Sequence, residues 1–373
     1  MRTPRPIFAA MTLRRFASLP ALIATLIALA LFPLQASAQD EEAAPAEGEV
    51  LSLYIWPNYM PPDLLRRFTE ETGIRVDLDI YDSNEKMIER IADPDHGYDL
   101  VVPGDYAVEL MIKTDMAEPM NVADMANVAN IAAPHDAPPY DPAREFSAPY
   151  LWGTVGFSYD QSALGDFKPQ DSWSMLFEVP EALKGKVGML DDEVEVFAAA
   201  AFYLGLDPCT ADEEEQTRIF NLLQRQAPNV ATYDSNATIT RLMSGAVGAQ
   251  MQWNTSAHKV RRSLPGVTYV YPIEGLNWWQ DNFVIPKGAK NAEAARTFVN
   301  WMLDPKNAAA ASNFTGYMNT VKGSAELMDK VLREDDAVNM PELYASRLRS
   351  VPVCAPEVQA KRHELWTQLR AGE

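Results

Sequence analysis

Cysteine is scarce in this 373-residue chain. Cys209 and Cys354 are the only two, too few for a disulfide-built scaffold, and neither belongs to a Cys-x-x-Cys metal pair. Histidine is almost as rare: His96, His135, His258 and His363 are scattered. His363-Glu364 would open a zinc-protease helix, but Thr367 stands where the second histidine is required. No Gly-x-Ser-x-Gly elbow and no glycine-rich phosphate loop is present, which removes the commonest signatures of hydrolases and nucleotide enzymes. Basic residues are outnumbered, 32 against 52 acids. That balance disfavours nucleic acid and anionic membrane surfaces as partners. Long apolar runs are also missing, except near the start.

That one run defines the N-terminus. Arg2, Arg5, Arg14 and Arg15 precede an apolar stretch from Leu19 to Leu34 and a small-residue site at Ala36-Ser37-Ala38. This pattern predicts a secretory signal peptide, residues 1–38, cut after Ala38. Arg14-Arg15-Phe16 leaves a twin-arginine route open, and Met11 is an alternative start. Gln39 occupies the place where a lipoprotein would carry cysteine, so a lipid anchor is not expected. Residues 39–49 are acidic and alanine-rich, with no apolar face to bury, and read as a flexible leader. The mature chain carries 28 basic and 52 acidic side chains, a net charge of −24. Such a surface favours a cationic ligand, but exported proteins also carry acid for solubility alone. In an exported protein Cys209 and Cys354 can pair or stay as two free thiols, and spacing does not decide between them.

Cleavage leaves 335 residues, more than one core usually holds, so two lobes are expected. Val50–Trp56 reads as a strand. Leu64, Leu65 and Phe68 form a helical stripe ending at Gly73, Ile74–Tyr81 is a second strand, and Met87, Ile88 and Ile91 mark a second helix. Asp99-Leu100-Val101-Val102-Pro103 is a compact apolar strand of the kind buried in parallel sheets. The order β-α-β-α-β predicts an α/β, doubly wound start, whose ligands lie beyond the carboxyl ends of the strands. Val187–Leu190 and Gly248–Trp253 read as later strands, with a helix beginning near Glu193. Asn282–Ile285 is another strand, followed by a helix carrying Ala295, Phe298, Val299 and Met302 that Asp304-Pro305 stops. The chain is expected to cross between lobes near Gly153 and Asp281.

The strand-end rule selects candidate site residues. Trp56 and Tyr59 follow the first strand, with Pro57 and Asn58 suited to the turn between them. Tyr106 follows Pro103, and Trp253, Trp279 and Tyr317 occupy what read as comparable strand-to-loop transitions. Isolated aromatics more often cap a core, but several rings at strand ends suggest an aromatic box, worth about 0.5–2 kcal/mol per contact with an alkylammonium ligand. A sugar site would look alike. Carboxylates separate the two cases: Asp192 and Glu195 are three apart at a helix start, and Asp281 follows Trp279 by two. Buried acids beside rings favour cations, since an unpaired buried carboxylate is costly. Asp192 and Glu195 equally fit ordinary acid placement at a helix N-terminus.

The runs Tyr54–Asp63 (YIWPNYMPPD), Asp82–Glu85 (DSNE) and Asp99–Pro103 (DLVVP) resemble the spermidine/putrescine-binding proteins of ABC polyamine importers. The likeness continues through Pro149–Thr154 (PYLWGT), Asp171-Ser172-Trp173, Glu195–Ala198 (EVFA), Trp253–Ala257 (WNTSA) and Asn313–Asn319. It implies a two-lobed periplasmic-binding-protein fold, each lobe a mixed, mostly parallel sheet flanked by helices, with ligand in the interlobe cleft. The implied lobes are 50–153 plus 282–325 and 154–281 plus 326–373. By the same resemblance Trp56, Tyr59, Tyr106, Trp253, Trp279 and Tyr317 wall the ligand, and Asp192, Glu195 and Asp281 hold its amines. Ser256, where putrescine-selective members carry an acid, points to spermidine over putrescine. Departures fall at Pro57 and Asn58, at Gly104 where a serine is usual, and at Cys354 where the family often places a ligand-binding glutamine.

The expected protein is thus a periplasmic monomer that binds a polyamine, delivers it to an inner-membrane ABC permease, needs no cofactor or metal and catalyses nothing. Two other readings remain in view. The same fold can serve another cation such as agmatine, or a sensor partner. A carboxylate-based glycoside hydrolase would use Asp192 or Glu195 with Asp281.

Overall fold

The computed structural model describes residues 49–371. The signal peptide and most of the leader expected from the sequence lie outside the described residues. Val50–Ile55 (β1) is an apolar strand that pairs in parallel with Arg75–Ile80 (β2) on one side and Leu100–Val101 (β3) on the other. The connection between β1 and β2 is the helix Pro62–Thr72, begun by a proline whose fixed φ suits the first helical position. It ends at Gly73 with φ 77°, a left-handed value that glycine adopts without strain. The helix Asn84–Ile91 starts under Ser83, whose hydroxyl accepts from Lys86 N at 3.2 Å.

The remaining strands are Ala117–Glu118 (β4), Ser147–Asp160 (β5), Val187–Met189 (β6), Val230–Tyr233 (β7), Ala249–Trp253 (β8), Val267–Val270 (β9), Leu276–Pro286 (β10), Met318–Asn319 (β11) and Leu348–Arg349 (β12). Through the sheet the order is β2-β1-β3-β10-β5-β8-β6-β7. Two parallel triplets, β2-β1-β3 and β8-β6-β7, flank a central antiparallel pair, β10 against β5. The sheet is therefore mixed, with the parallel parts outermost.

The apolar residues gather into two large clusters. One contains Leu51, Leu53, Phe68, Leu100, Tyr150, Leu151, Phe283 and Phe298. The other contains Val155, Phe157, Trp173, Met189, Phe197, Met251, Leu276 and Trp366. The long central strands serve both: β5 gives Tyr150 to the first and Phe157 to the second, and β10 gives Phe283 and Leu276 likewise. Asp99, almost fully buried, fixes the entry to β3 by accepting from Ser52 N at 2.9 Å and from Asn291 N at 2.8 Å.

One expectation needs correction, a second is extended and an open alternative is decided. The strand expected over Asn282–Ile285 is the second half of β10, so Trp279 and Asp281 lie within a strand rather than at its end. The polar alternation Asn277–Asn282 hid its start, because those positions face buried polar partners and not water. Asp304-Pro305 does stop the helix Ala292–Met302, but it also starts another, Pro305–Thr315, with Asp304 as its cap. Finally, Cys209 and Cys354 form a disulfide, Cα–Cα 5.1 Å, that ties the segment before the last helix, Pro356–Arg370, to the loop after Glu193–Leu204. Among the described residues no helix is long and apolar enough to cross a membrane.

Candidate functional site

The turn after β1 fixes the first aromatic pair. Asn58 adopts φ 56°, which asparagine tolerates better than most residues, and this sends Pro57 and Asn58 to the surface while returning Tyr59 to the interior. Trp56 donates its indole N–H to Val102 O at 2.9 Å and tilts against Tyr81 at 4.6 Å. Tyr59 donates to Asp281 Oδ2 at 2.5 Å. Its own carbonyl accepts from Tyr150 at 2.7 Å. From Tyr59 a series of edge-to-face rings runs to Tyr317 at 6.0 Å and on to Trp279 at 5.0 Å. Each such pair adds about 0.5–1.5 kcal/mol beyond burial. Because Tyr59 and Tyr317 pack on one apolar cluster and Trp279 and Trp253 on the other, the rings straddle the boundary between the two cores.

Glycine is required beside them. A Cβ on Gly153 would stand 2.5 Å from Trp279 Cζ2 and 2.7 Å from Asn254 Oδ1, so the ring lies flat on bare backbone. Trp253 ends β8 and leads into the helix Asn254–Arg261, whose Thr255 donates to Gly316 O at 3.1 Å and so holds the residue before Tyr317. Ser256 is half-buried in the first turn of that helix.

Asp281 sits where the register of β10 against β5 slips between Gln280 and Asn282, and it is bridged to Gly104. Burial pushes its carboxyl up to about 7. The Tyr59 hydroxyl opposes that shift and the charge of Asp105 adds to it. Gly104 N donates to Asn84 Oδ1 at 3.2 Å, and a Cβ there would meet Asp281 Oδ1 at 3.5 Å; glycine permits close approach, not a polar contact of its own. Tyr106 is partly exposed and donates to Glu85 Oε1 at 2.8 Å. Burial raises the Tyr106 phenol, and Glu85 and Asp192 raise it further, so it stays a neutral donor.

Asp192 caps the helix Glu193–Leu204, accepting from Val194 N and Glu195 N at 3.0 Å each. Ordinary acid placement thus accounts for one of its oxygens. Burial nonetheless raises this carboxyl against those two bonds. Glu195 accepts from Asn277 Nδ2 at 2.8 Å, while among the described residues nothing donates to its buried Oε2. Burial pushes Glu195 up to about 8, with the charge of Asp192 adding to the shift. The buried indole N–H of Trp279 also lacks an acceptor among the described residues.

The structure therefore brings Tyr59, Trp279, Asp281 and Tyr317 into direct contact, and couples Tyr106, Asp192 and Glu195 to one another by charge and hydrogen bonding. Asn58 is turned outward. Cys354 is spent in the disulfide beside Pro208, Pro352 and Arg362, which leaves no thiol to stand in for a glutamine. Sequence reasoning missed Asp105, Asn84, Asn277 and Tyr150. Asp105 follows the predicted strand Asp99–Pro103 as closely as Tyr106 does, so the strand-end rule already covered it. Asn277 and Tyr150 lay in strands whose extent was not read. Among the described residues no group of three or more His, Cys, Asp and Glu is arranged as a metal cage.

Carboxylates raised by burial, with Asp281 beside a run of aromatic rings, suit solutes that carry positive charge on an apolar body. The chain belongs to the bacterial extracellular solute-binding protein family, whose model matches residues 63–341. It is 35% identical over 290 residues to the spermidine/putrescine-binding periplasmic protein of Escherichia coli, covering 78% of this chain and 82% of that protein. The putrescine-binding periplasmic protein SpuD of Pseudomonas aeruginosa is 30% identical over 346 residues, 89% of this chain and 94% of that one. Among solved structures, the spermidine/putrescine ABC transporter substrate-binding protein PotD from Streptococcus pneumoniae superposes with a TM-score of 0.79 at 28% identity, over 87% of this chain and 99% of that one. The fold is that of the periplasmic binding proteins.

Proposed function

We infer that this chain is the polyamine-binding component of an ABC importer: exported to the periplasm through its N-terminal segment, it captures a polyamine as a monomer and hands it to a membrane permease without making or breaking a bond. The observation that carries this reading is Asp281, a 7%-exposed carboxylate held by Tyr59 and bordered by Tyr317 and Trp279. An anion or a neutral sugar entering there would leave that charge uncompensated; an ammonium group pairs with it while its methylenes pack on the rings. The names of the relatives agree with it.

The motion that accompanies capture is hinge closure of two lobes, 50–153 plus 282–325 against 154–281 plus 326–373, with ligand touching both and so stabilising the closed form. The split of the apolar residues into two clusters supports this division. Spermidine is favoured over putrescine, because the acids available exceed what a diamine can pair. Calorimetric titration of ligand-stripped protein with spermidine, putrescine and agmatine, with GABA and a neutral sugar as controls, tests the reading. One-to-one binding of a polyamine supports it, and binding of no cation overturns it.

A further inference from the structure

Asn277 is a polar exception in an apolar row of the sheet. On β10 it stands opposite Val155 of β5, which stands opposite Trp253 of β8, so the three side chains share one face. Gly153 and Trp279 face each other two residues along the same strands and lie on that face too. An amide in this place, 9% exposed, costs stability unless a hydrogen bond compensates it. Its Nδ2 donates to Glu195 Oε1 at 2.8 Å, which seats the first turn of the helix Glu193–Leu204 against the face that carries Trp253 and Trp279. Both ends of this contact are fixed. Asn277 is paired with Val155 on one side and with Arg349 of β12 on the other, and Asp192 accepts from the Glu195 N–H at 3.0 Å.

Only one carboxylate oxygen is used in this way. Glu195 Oε2 is shielded from solvent, and among the described residues nothing donates to it. The indole N–H of Trp279, on the same sheet face, has no acceptor among the described residues, and its ring meets Tyr317 at 5.0 Å. Resting on the polyamine reading above, we propose that Asn277 is a positioning residue for the ligand: by holding Oε1 of Glu195 it directs Oε2 to an ammonium group beside the Trp253 and Trp279 rings. An N–H donor also favours the ionised carboxylate over the neutral acid. It thereby opposes burial, the charge of Asp192 on the same helix and the charge of Asp105, which opens the helix Asp105–Lys113. Tyr269 of β9, kept a neutral phenol chiefly by burial, also feels the Glu195 charge, whereas Arg362 of the last helix acts on Asp192 and Glu193.

The test is calorimetric titration with spermidine at several pH values between 6 and 9, for wild type, Asn277→Leu, Glu195→Gln and the double variant. Leucine has nearly the volume of asparagine and no donor; Asn277→Ala serves as a second replacement, and melting curves check folding. At pH 7 either replacement should weaken spermidine binding about 10-fold. The ratio of wild-type to variant affinity should shrink towards pH 9, where Glu195 is ionised with or without the amide, and in the Glu195→Gln background Asn277→Leu should have almost no further effect. A loss that is the same at every pH, a loss undiminished in the Glu195→Gln background, or no loss at all would overturn the assignment while leaving the polyamine reading intact. Binding of no polyamine by wild type would overturn both.

Discussion

Replacing Asp281 by asparagine should make the ligand-free protein more stable and its binding of a polyamine weaker. The carboxyl is 7% exposed, and burial, its largest perturbation, moves it from 3.8 to about 7. In the unfolded chain the same group ionises near its ordinary value, so between these pH values the folded state holds the proton more tightly. Stability of the free protein therefore falls as pH rises through that window and is lowest above it. At about 1.4 kcal/mol per tenfold change, the cost at pH 8 is about 4 kcal/mol, an upper figure because water reaching the site screens the charge. Asparagine keeps an oxygen for the Tyr59 hydroxyl and carries no charge. Melting temperature at pH 8 should therefore rise by several degrees, at roughly 2 °C per kcal/mol, and at pH 4 it should match wild type. Saturating spermidine should narrow that gap by about 1.5–3 kcal/mol, because the variant loses a charged hydrogen bond to the ligand. Calorimetric melts at both pH values, with and without spermidine, read all four quantities. Identical pH profiles for the two proteins would refute the reasoning.

Polyamine affinity should fall as pH drops from 8 to 6, since Glu195, raised to about 8, and Asp281, raised to about 7, must be ionised to pair an ammonium. Titrations in buffers of different ionisation enthalpy should show proton release on binding, and Glu195→Gln should flatten the upper part of the profile; a flat wild-type profile would contradict the site. Gly153→Ala puts a methyl 2.5 Å from Trp279 Cζ2, which should cost about 1–3 kcal/mol in thermal stability and displace the ring enough to weaken binding measurably. Removing the Cys209–Cys354 bridge by paired serine substitution opens a loop with a sequence separation of 145 and should lower stability by up to about 5 kcal/mol, read as a drop in melting temperature, with polyamine affinity unchanged.

The sequence disclosed those parts of the molecule where local rules and global fold agree. The start β1, helix, β2, helix, β3 was readable because β1 and β3 are apolar runs, β2 alternates apolar with charged residues, and each helix carries a stripe, a cap or a stopping glycine. The same pattern identified the turn from Trp56 to Tyr59. Of the central pair β5 and β10, only the second half of β10 was readable. Its residues alternate between rings, amides and a carboxylate because the strands line a site, and apolar periodicity is the signal that such a strand gives up. Asp281 was found through its neighbour Trp279, which was wrongly placed at a strand end. Asp105 was passed over because an acid opening a helix is so ordinary that it drew no notice.

The antiparallel pairing of β5 and β10 also constrains how the molecule can move. Two of the chain's passages between the apolar clusters run side by side and are hydrogen-bonded to each other, with Trp279 opposite Gly153 and Asn277 opposite Val155. Two independent strings would let the halves drift apart along any direction. A ladder-bonded ribbon cannot lengthen, and it shears only by breaking rungs, but it twists and coils at little cost. Under the proposed closure, displacement of one half against the other would thereby be reduced to rotation about a line near Gly153, and the rings and carboxylates that meet across the boundary would return to the same registration each time.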